Sequence, residues 1–188
     1  MSQTKLDSLI ENLDSQQIEH QIPAIEETAN IVETLAKKAV AALENSPNRF
    51  LVAERLNRFG SIIVPDLEQL LESSTNSEVK ILASLVLLQL GSKAGVAILL
   101  NTIRDDEEYA ILAARHLAQA GIKDAIDPIC DRLKSASLEE VDLIVSLLDA
   151  LNKSNGKLPQ DLIQSFSSDN VSWQIKTKLE EQYSSVKF

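Results

Sequence analysis

The amino-acid sequence predicts an all-α fold, and three observations point to it. Apolar residues recur at three- and four-residue steps along most of the 188 residues, without the two-residue alternation that strands show. Glycines follow one another at nearly equal intervals, at Gly60, Gly91 and Gly121. Signals for helix starts recur with a similar period. We therefore expect repeated pairs of antiparallel helices, preceded by a separate N-terminal helical segment.

Composition and charge exclude several classes of function. The chain is 44% hydrophobic but only 4% aromatic, so we expect a core of Leu, Ile, Val and Ala. A net charge of −10 disfavours binding to nucleic acid or to an anionic membrane, and favours a protein partner with a basic surface. A single cysteine excludes an intramolecular disulfide and a cysteine-rich zinc site.

Neither an export signal nor a membrane span is expected. Asp7 and Glu11 interrupt the N-terminal region before an apolar run can form. The longest apolar run, residues 81–90, is shorter than the ~20 residues that a membrane-spanning helix needs. We therefore expect a cytoplasmic protein that does not contact membranes.

Residues 1–48 are predicted to form an N-terminal helical extension or cap. Its main helix is expected to begin after Ile22 and Pro23, because proline suits a first turn, where its missing N–H would have no partner. One face of this helix is predicted to be apolar and to carry Ile25, Ala29, Val32, Ala36, Ala39 and Leu43. A shorter helix with Leu6, Leu9, Ile10 and Leu13 precedes it. The pattern leaves open whether this helix pair packs on its own repeats or on a second copy.

From residue 49 onward the chain repeats a unit of two short amphipathic helices. A glycine marks the place where the first helix of a unit should end and the chain should turn. Apolar residues recur eight, four and one positions before each of the three glycines, and a second apolar set follows each. The fourth unit is weaker and turns at 152–156. We expect units at about 49–75, 76–106, 107–137 and 138–170, with a C-terminal capping helix at 171–183, all in one continuous domain.

Helix-start signals provide a second line of evidence for the repeats. In a capping box, the cap side chain and a Glu three residues later satisfy free backbone N–H groups of each other. This spacing occurs three times, in Thr75 with Glu78, Asp105 with Glu108, and Ser137 with Glu140.

The third unit is the most regular and carries a family resemblance. It reads Ala113-Ala-Arg-His-Leu-Ala-Gln-Ala-Gly121, followed by Asp124-Ala-Ile-Asp-Pro-Ile129. With Ala-x3-Leu-x2-apolar-Gly in the first helix, residues 49–150 resemble HEAT repeats, and most closely the short bacterial kind named after phycobilisome lyases. The resemblance implies a right-handed α-solenoid whose second helices line a concave, partner-binding side. Pro65 and Pro128 depart from the pattern because they occupy non-equivalent places.

Residues that could carry catalysis are scarce. His116 is either a polar position on a helix or a base that needs a nucleophile close by, and His20 lies far from it in sequence. Cys130 is expected to be a buried, inert thiol rather than a nucleophile or an attachment point. No zinc-binding, nucleotide-binding or hydrolase motif occurs in the sequence. We therefore predict no catalytic, cofactor-binding or metal-binding residues.

Candidate binding residues lie on the predicted second helices. Asp127 and Asp131 share one helix face, because they are four residues apart, and the repeat register places Asn101 beside them. We name the wider set the second-helix strip: Glu68, Glu72, Asn101, Arg104, Asp127, Asp131 and Arg132. The strip is either a partner surface or an ordinary solvated surface. Trp173, near the C-terminus, is either a plug in the core of the last repeat or an exposed anchor for a partner.

Two functions follow as hypotheses. The first is a non-enzymatic protein-binding module with an acidic surface, for example a bacterial toxin-neutralising immunity protein. Acidic residues outnumber basic ones by eight to three in residues 1–48, by twelve to ten in 49–137 and by eight to five in 138–188, so the two ends are the most acidic. The alternative, which the resemblance implies, is a bilin lyase or phycobilisome-turnover factor with a pocket for a tetrapyrrole.

Overall fold

In a computed structural model that describes residues 3–183, all regular secondary structure is helical. Within these residues there is no strand, so the all-α prediction is confirmed. Two short 3₁₀ segments, Asn57–Ile63 and Lys123–Ala125, precede α4 and α8. The α-helices are α1 Gln3–Leu13, α2 Ile18–Asn45, α3 Arg49–Leu56, α4 Val64–Ser73, α5 Ser77–Gln89, α6 Val96–Asp105, α7 Ala110–Gln119, α8 Ile126–Ser135, α9 Val141–Lys153, α10 Gln160–Phe166 and α11 Trp173–Gln182.

The core lies along a row of helices that alternate in the chain. Helix α3 packs on α5, α5 on α7, α7 on α9 and α9 on α11, while α4 and α6 also pack on α5. Because α5 has neighbours on several sides, every residue from Ile81 to Leu88 is buried. Three small residues of α7, Ala113, Ala114 and Ala118, are also buried, and their size allows neighbouring helices to approach closely.

Three of these helices end with the same reversal of the chain. Gly91, Gly121 and Asn155 have φ of 87°, 70° and 56°, in the left-handed region that Gly and, less often, Asn adopt. At Gly121 the N–H donates to the Ala118 carbonyl at 3.1 Å, and the next N–H donates to the Leu117 carbonyl at 3.0 Å. Equivalent bonds form after α5 and α9. This Schellman arrangement satisfies carbonyls at the helix end and turns the chain sharply.

Two predicted helix caps are wrong by one residue. Asn76, not Thr75, caps α5, because its side chain accepts the Val79 N–H at 3.3 Å. Asp106, not Asp105, accepts the backbone N–H groups two and three residues ahead of it, at 2.9 and 2.7 Å, in the turn before α7. Helix α7 itself begins at Ala110, and its N-cap residue Tyr109 makes no side-chain capping bond. At both places two adjacent residues are good cap formers, Thr75 and Asn76 in one case and Asp105 and Asp106 in the other. The spacing to a following Glu therefore does not identify which of the two residues makes the capping bond.

In the third predicted cap pair, Ser137 and Glu140, the Glu side chain makes the expected hydrogen bond. The Glu140 carboxylate accepts the backbone N–H of Ser137 at 2.7 Å, which is half of a capping box. Helix α9 nevertheless begins at Val141, after a short turn. The pair therefore stabilises the turn that precedes α9 rather than the first turn of the helix itself.

Helix α2 begins at Ile18, so the predicted start after Pro23 is wrong. The Gln17 carbonyl accepts the N–H groups of His20 and Gln21, both at 3.1 Å, and this forms the first turn. Pro23 lies inside the helix, where it removes one backbone hydrogen bond. The proline therefore weakens the helix locally without setting its first residue.

The apolar face of α2 is buried at one end and exposed at the other. Ala36 and Leu43 are fully buried, since this end packs on α3 and α4. Ile25 and Val32, on the same face, are 53% and 40% exposed. Helix α1 packs along α2, with Leu9 buried. The C-terminal end of α2 thus packs on its own chain, whereas the rest of the predicted apolar face is uncovered.

A glycine substitution series tests the chain reversal after α7. We expect Gly121→Ala to lower the free energy of unfolding by about 1–2 kcal/mol, because a side chain at φ 70° is strained although a Cβ there would meet nothing within 4 Å. Gly121→Asn should cost less, because Asn155 adopts the same conformation. Urea denaturation measures both changes, and equal losses for Ala and Asn would contradict this explanation.

A matched pair of truncations tests the two ends of α2. Leu43→Ala should lower the free energy of unfolding by about 2–5 kcal/mol, because it leaves a cavity in a fully buried site. Ile25→Ala should change it by less than about 0.5 kcal/mol, because that side chain is already half-exposed. Urea denaturation of the two variants at low protein concentration decides this, and similar losses would show that Ile25 is covered.

Candidate functional site

Two members of the second-helix strip form an ion pair between α6 and α8. These helices pack side by side, and Arg104 Nε lies 3.2 Å from Asp131 Oδ2. Their side chains are 40% and 57% exposed, so water weakens the attraction. The pair aligns the two helices and presents a mixed, solvated surface.

The α4 part of the strip reaches the following unit through a single contact. Glu68 is half-buried, and its carboxylate accepts the Ser92 hydroxyl at 2.8 Å. Ser92 lies in the turn between α5 and α6, so this bond ties α4 to that turn. Glu72 is exposed on the last turns of α4. On α6, Asn101 is exposed and borders a shallow groove against α5 of about 270 Å³.

Helix α8 has an exposed acidic side that carries Asp127 and Asp131. Asp127 lies in the first turn and Arg132 in the last, as the helix dipole favours. Arg132 is mostly buried, and its guanidinium lies 3.7 Å from Glu140 at the start of α9. Asp127 is exposed and forms no ion pair within residues 3–183. Asp127 and Asp131 are therefore the accessible acidic groups of this helix.

Trp173 is exposed, so the core-plug interpretation is wrong. It is the first residue of α11 and its side chain is 72% exposed. The buried face of α11 is formed instead by Ile175 and Leu179, which pack towards α9. A large indole at a helix start in water is the type of residue that anchors protein interfaces.

A partly buried polar cluster that the sequence did not predict joins α3, α5 and the turn before α7. Glu78, at the start of α5, accepts the Tyr109 hydroxyl at 3.1 Å and pairs with Arg49 at 2.8 Å. Tyr109 is 8% exposed, and burial, with a smaller effect of the Glu78 hydrogen bond, raises its pKa to about 12. Successive members of this cluster are separated by about one repeat length in sequence. That spacing is the one feature of the sequence that indicates their contact. The local sequence instead indicates a cap residue at Glu78, because a capping box is defined by spacing within one turn.

His116 lies in a groove between α3, α5 and α7, away from the second-helix strip. The groove has a volume of about 350 Å³ and is lined by residues of α3, α5 and α7. Burial, and to a smaller extent the neighbouring Arg115 charge, lower the pKa of His116, which keeps its imidazole neutral at pH 7. Within residues 3–183 no side chain forms a hydrogen bond with it. Among the described residues, therefore, His116 is not paired with a nucleophile.

Cys130 is buried, as predicted. Its side chain is in the core on α8, and burial raises the pKa of the thiol, followed by the effect of Asp127. The thiol is therefore protonated at neutral pH and poorly nucleophilic.

No family model, curated protein or solved structure matches this chain. The resemblance to HEAT repeats consequently depends on the residues and on the helix pattern. Among residues 3–183, no three His, Cys, Asp or Glu side chains lie together as a metal site would require. No helix of that part of the chain is both long and apolar enough to cross a membrane.

The Tyr109 cluster makes a prediction about alkaline pH. The pKa of the Tyr109 phenol is raised from 10 to about 12. The neutral phenol therefore stabilises the fold below pH 10, and this contribution is lost as the pH rises through 12. Tyr183, the other tyrosine, also has a pKa raised to about 12 by burial. We expect little tyrosinate absorbance at pH 10–11 in the folded protein, and a midpoint near 10 in urea.

Tyr109→Phe provides the control for this titration. It removes one of the two phenols and should cost about 1 kcal/mol of stability, because Glu78 keeps Arg49 as a partner. If half of the tyrosine in the folded wild type ionises near pH 10 and this half is absent from Tyr109→Phe, the Tyr109–Glu78 contact does not form as described.

Proposed function

We propose that residues 49–183 form a HEAT-like α-solenoid. Three observations support this: the repeated reversal at Gly91, Gly121 and Asn155, the row of alternate helices α3, α5, α7, α9 and α11, and the side-by-side packing of α6 and α8. In such an arrangement each helix pair is stabilised mainly by its neighbours along the stack. A solenoid presents one continuous surface of second helices, which suits the binding of another protein.

The function that fits this surface is binding a protein with a basic surface, without catalysis by this chain. The observation that carries the proposal is the α6–α8 surface, where Asp127 is exposed and has no ion-pair partner in the described part of the chain, and Asp131 is only weakly engaged by Arg104. Exposed Trp173 adds a large apolar group at the acidic C-terminal end. Opposite charges on the two partners would speed and orient their association.

One concrete form of this proposal is a toxin-neutralising immunity protein of a bacterium. An acidic repeat surface could cover the basic active site of a nuclease, because phosphate-binding enzymes concentrate Lys and Arg there. In that case the partner would be encoded next to this protein and would be held by a salt-sensitive interface.

A charge-reversal experiment tests the surface. Wild type and the Asp127→Lys/Asp131→Lys double variant are used to capture proteins from cells of the source organism, and are each co-expressed with the neighbouring gene product. We expect the wild type to hold a partner that is released by high salt, and the double variant to bind it at least about tenfold more weakly in calorimetry.

A second double variant controls for net charge. Glu139→Lys/Asp169→Lys changes the charge equally at exposed positions outside the strip and should retain the partner. Equal loss of binding in both variants would contradict a role for the strip. A protein that captures no partner but shifts the absorption spectrum of added bilin would instead favour the bilin-binding alternative.

A further inference from the structure

The exposed end of α2 presents a long apolar stripe. Because the helix begins at Ile18, its exposed apolar face begins there rather than at Ile25, where the sequence pattern placed its first residue. Three isoleucines on this face are more than half exposed, and monomeric proteins rarely leave aligned apolar groups in water. We name the set the α2 stripe: Ile18, Ile22, Ile25, Ala29 and Val32.

The α2 stripe has the spacing of a helix-packing seam. Its members follow one another at alternating steps of four and three residues, which is the heptad pattern of coiled coils. The same spacing continues through Ala36, Ala39 and Leu43, and there this face already packs on helices of the same chain. The exposed part therefore continues a face that packs on helices, and another helix is the shape that fits it.

One edge of the α2 stripe is acidic. Glu19, Glu26 and Glu33 are seven residues apart, and each follows a stripe residue directly, at the heptad position that meets a partner helix. Glu33 is paired with Lys37 at 2.8 Å. Glu19 and Glu26 are exposed and form no ion pair within residues 3–183. Two unpaired carboxylates thus border the uncovered isoleucines.

A second copy of this chain does not satisfy that edge. In an antiparallel pair the acidic edges of the two helices would face each other, and like charges repel. In a parallel pair each acidic edge would face the opposite edge of the stripe, which carries Gln21 and Thr28 and no cation. Charge therefore favours a different protein over self-association.

We propose that the α2 stripe binds an amphipathic helix of a partner protein, with apolar residues at heptad spacing and two basic residues seven positions apart. The apolar face of that helix covers the isoleucines, and its Lys or Arg side chains meet Glu19 and Glu26. This surface lies on a different element from the second-helix strip, and binding to it does not require the strip.

Synthetic helices test this recognition directly. The probe is a 21-residue peptide with Ile and Leu at the two apolar heptad positions and Lys at both flanking positions. Its counterpart has Glu in place of each Lys. Fluorescence anisotropy should show that the full protein binds the Lys peptide, and that the Glu peptide binds at least about tenfold more weakly.

Four variants locate the binding to the stripe. Ile25→Asp should weaken the Lys peptide by at least about tenfold, because it removes a buried apolar contact, and Glu26→Lys by about three- to tenfold. Leu51→Asp and Glu54→Lys make the same changes at exposed positions of α3 and should leave affinity unchanged. Circular dichroism confirms that each variant is folded. The Asp127→Lys/Asp131→Lys variant should also bind the peptide normally, which separates this inference from the proposed function.

Three outcomes would overturn the inference. They are failure of the Lys peptide to bind, equal affinity for the Glu peptide, and a wild-type dimer in sedimentation velocity that Ile25→Asp dissociates. The last outcome would assign the stripe to a second copy of this chain.

Discussion

The left-handed residue at the end of α5, α7 and α9 is the constraint on which the rest of the structure depends. At Gly91, Gly121 and Asn155 the chain turns within two residues, so the next helix returns alongside the previous one. Without that turn, α5, α7 and α9 could not pack in a row, and their leucines and alanines would lack neighbours. The Arg104–Asp131 ion pair and the Tyr109–Glu78 hydrogen bond each join residues on opposite sides of one of these reversals, so both depend on the turn between them.

Much of the fold was readable from local pattern, and the exceptions have local causes. Gly91 and Gly121 predicted two of the reversals because few residues tolerate positive φ. The prediction for Gly60 is wrong, because α3 ends at Leu56 and Gly60 lies inside the 3₁₀ segment Asn57–Ile63 with φ 65° and ψ −152°. Helix starts were less predictable, since neighbouring residues such as Thr75 and Asn76 compete to cap the same helix. Pro23 does not identify the beginning of α2, because a proline is compatible with a position inside the helix as well as with its first turn.

The candidate sites were less predictable than the fold, because they depend on contacts between distant residues. Nothing near Glu78 in sequence shows that Arg49 and Tyr109 will converge on it. Likewise, the amphipathic pattern of α2 identified an apolar face but not which part of it would be covered. The sequence around Trp173 is compatible with a buried or an exposed indole. The way in which α11 packs on α9 decides that the indole is exposed.

The partial burial of α2 also has a mechanical consequence. At 1.5 Å per residue the helix is about 42 Å long, and the part from Ile18 to Ala36, whose apolar stripe is exposed, extends for about 27 Å. Ala36 and Leu43 are fully buried and hold the C-terminal end of the helix in place. A tilt of about 10° there would move Ile18 by about 5 Å, since displacement grows with distance along a rigid rod. The packing of α2 on α3 and α4 thus determines the position of Glu19 and Glu26 relative to the other helices.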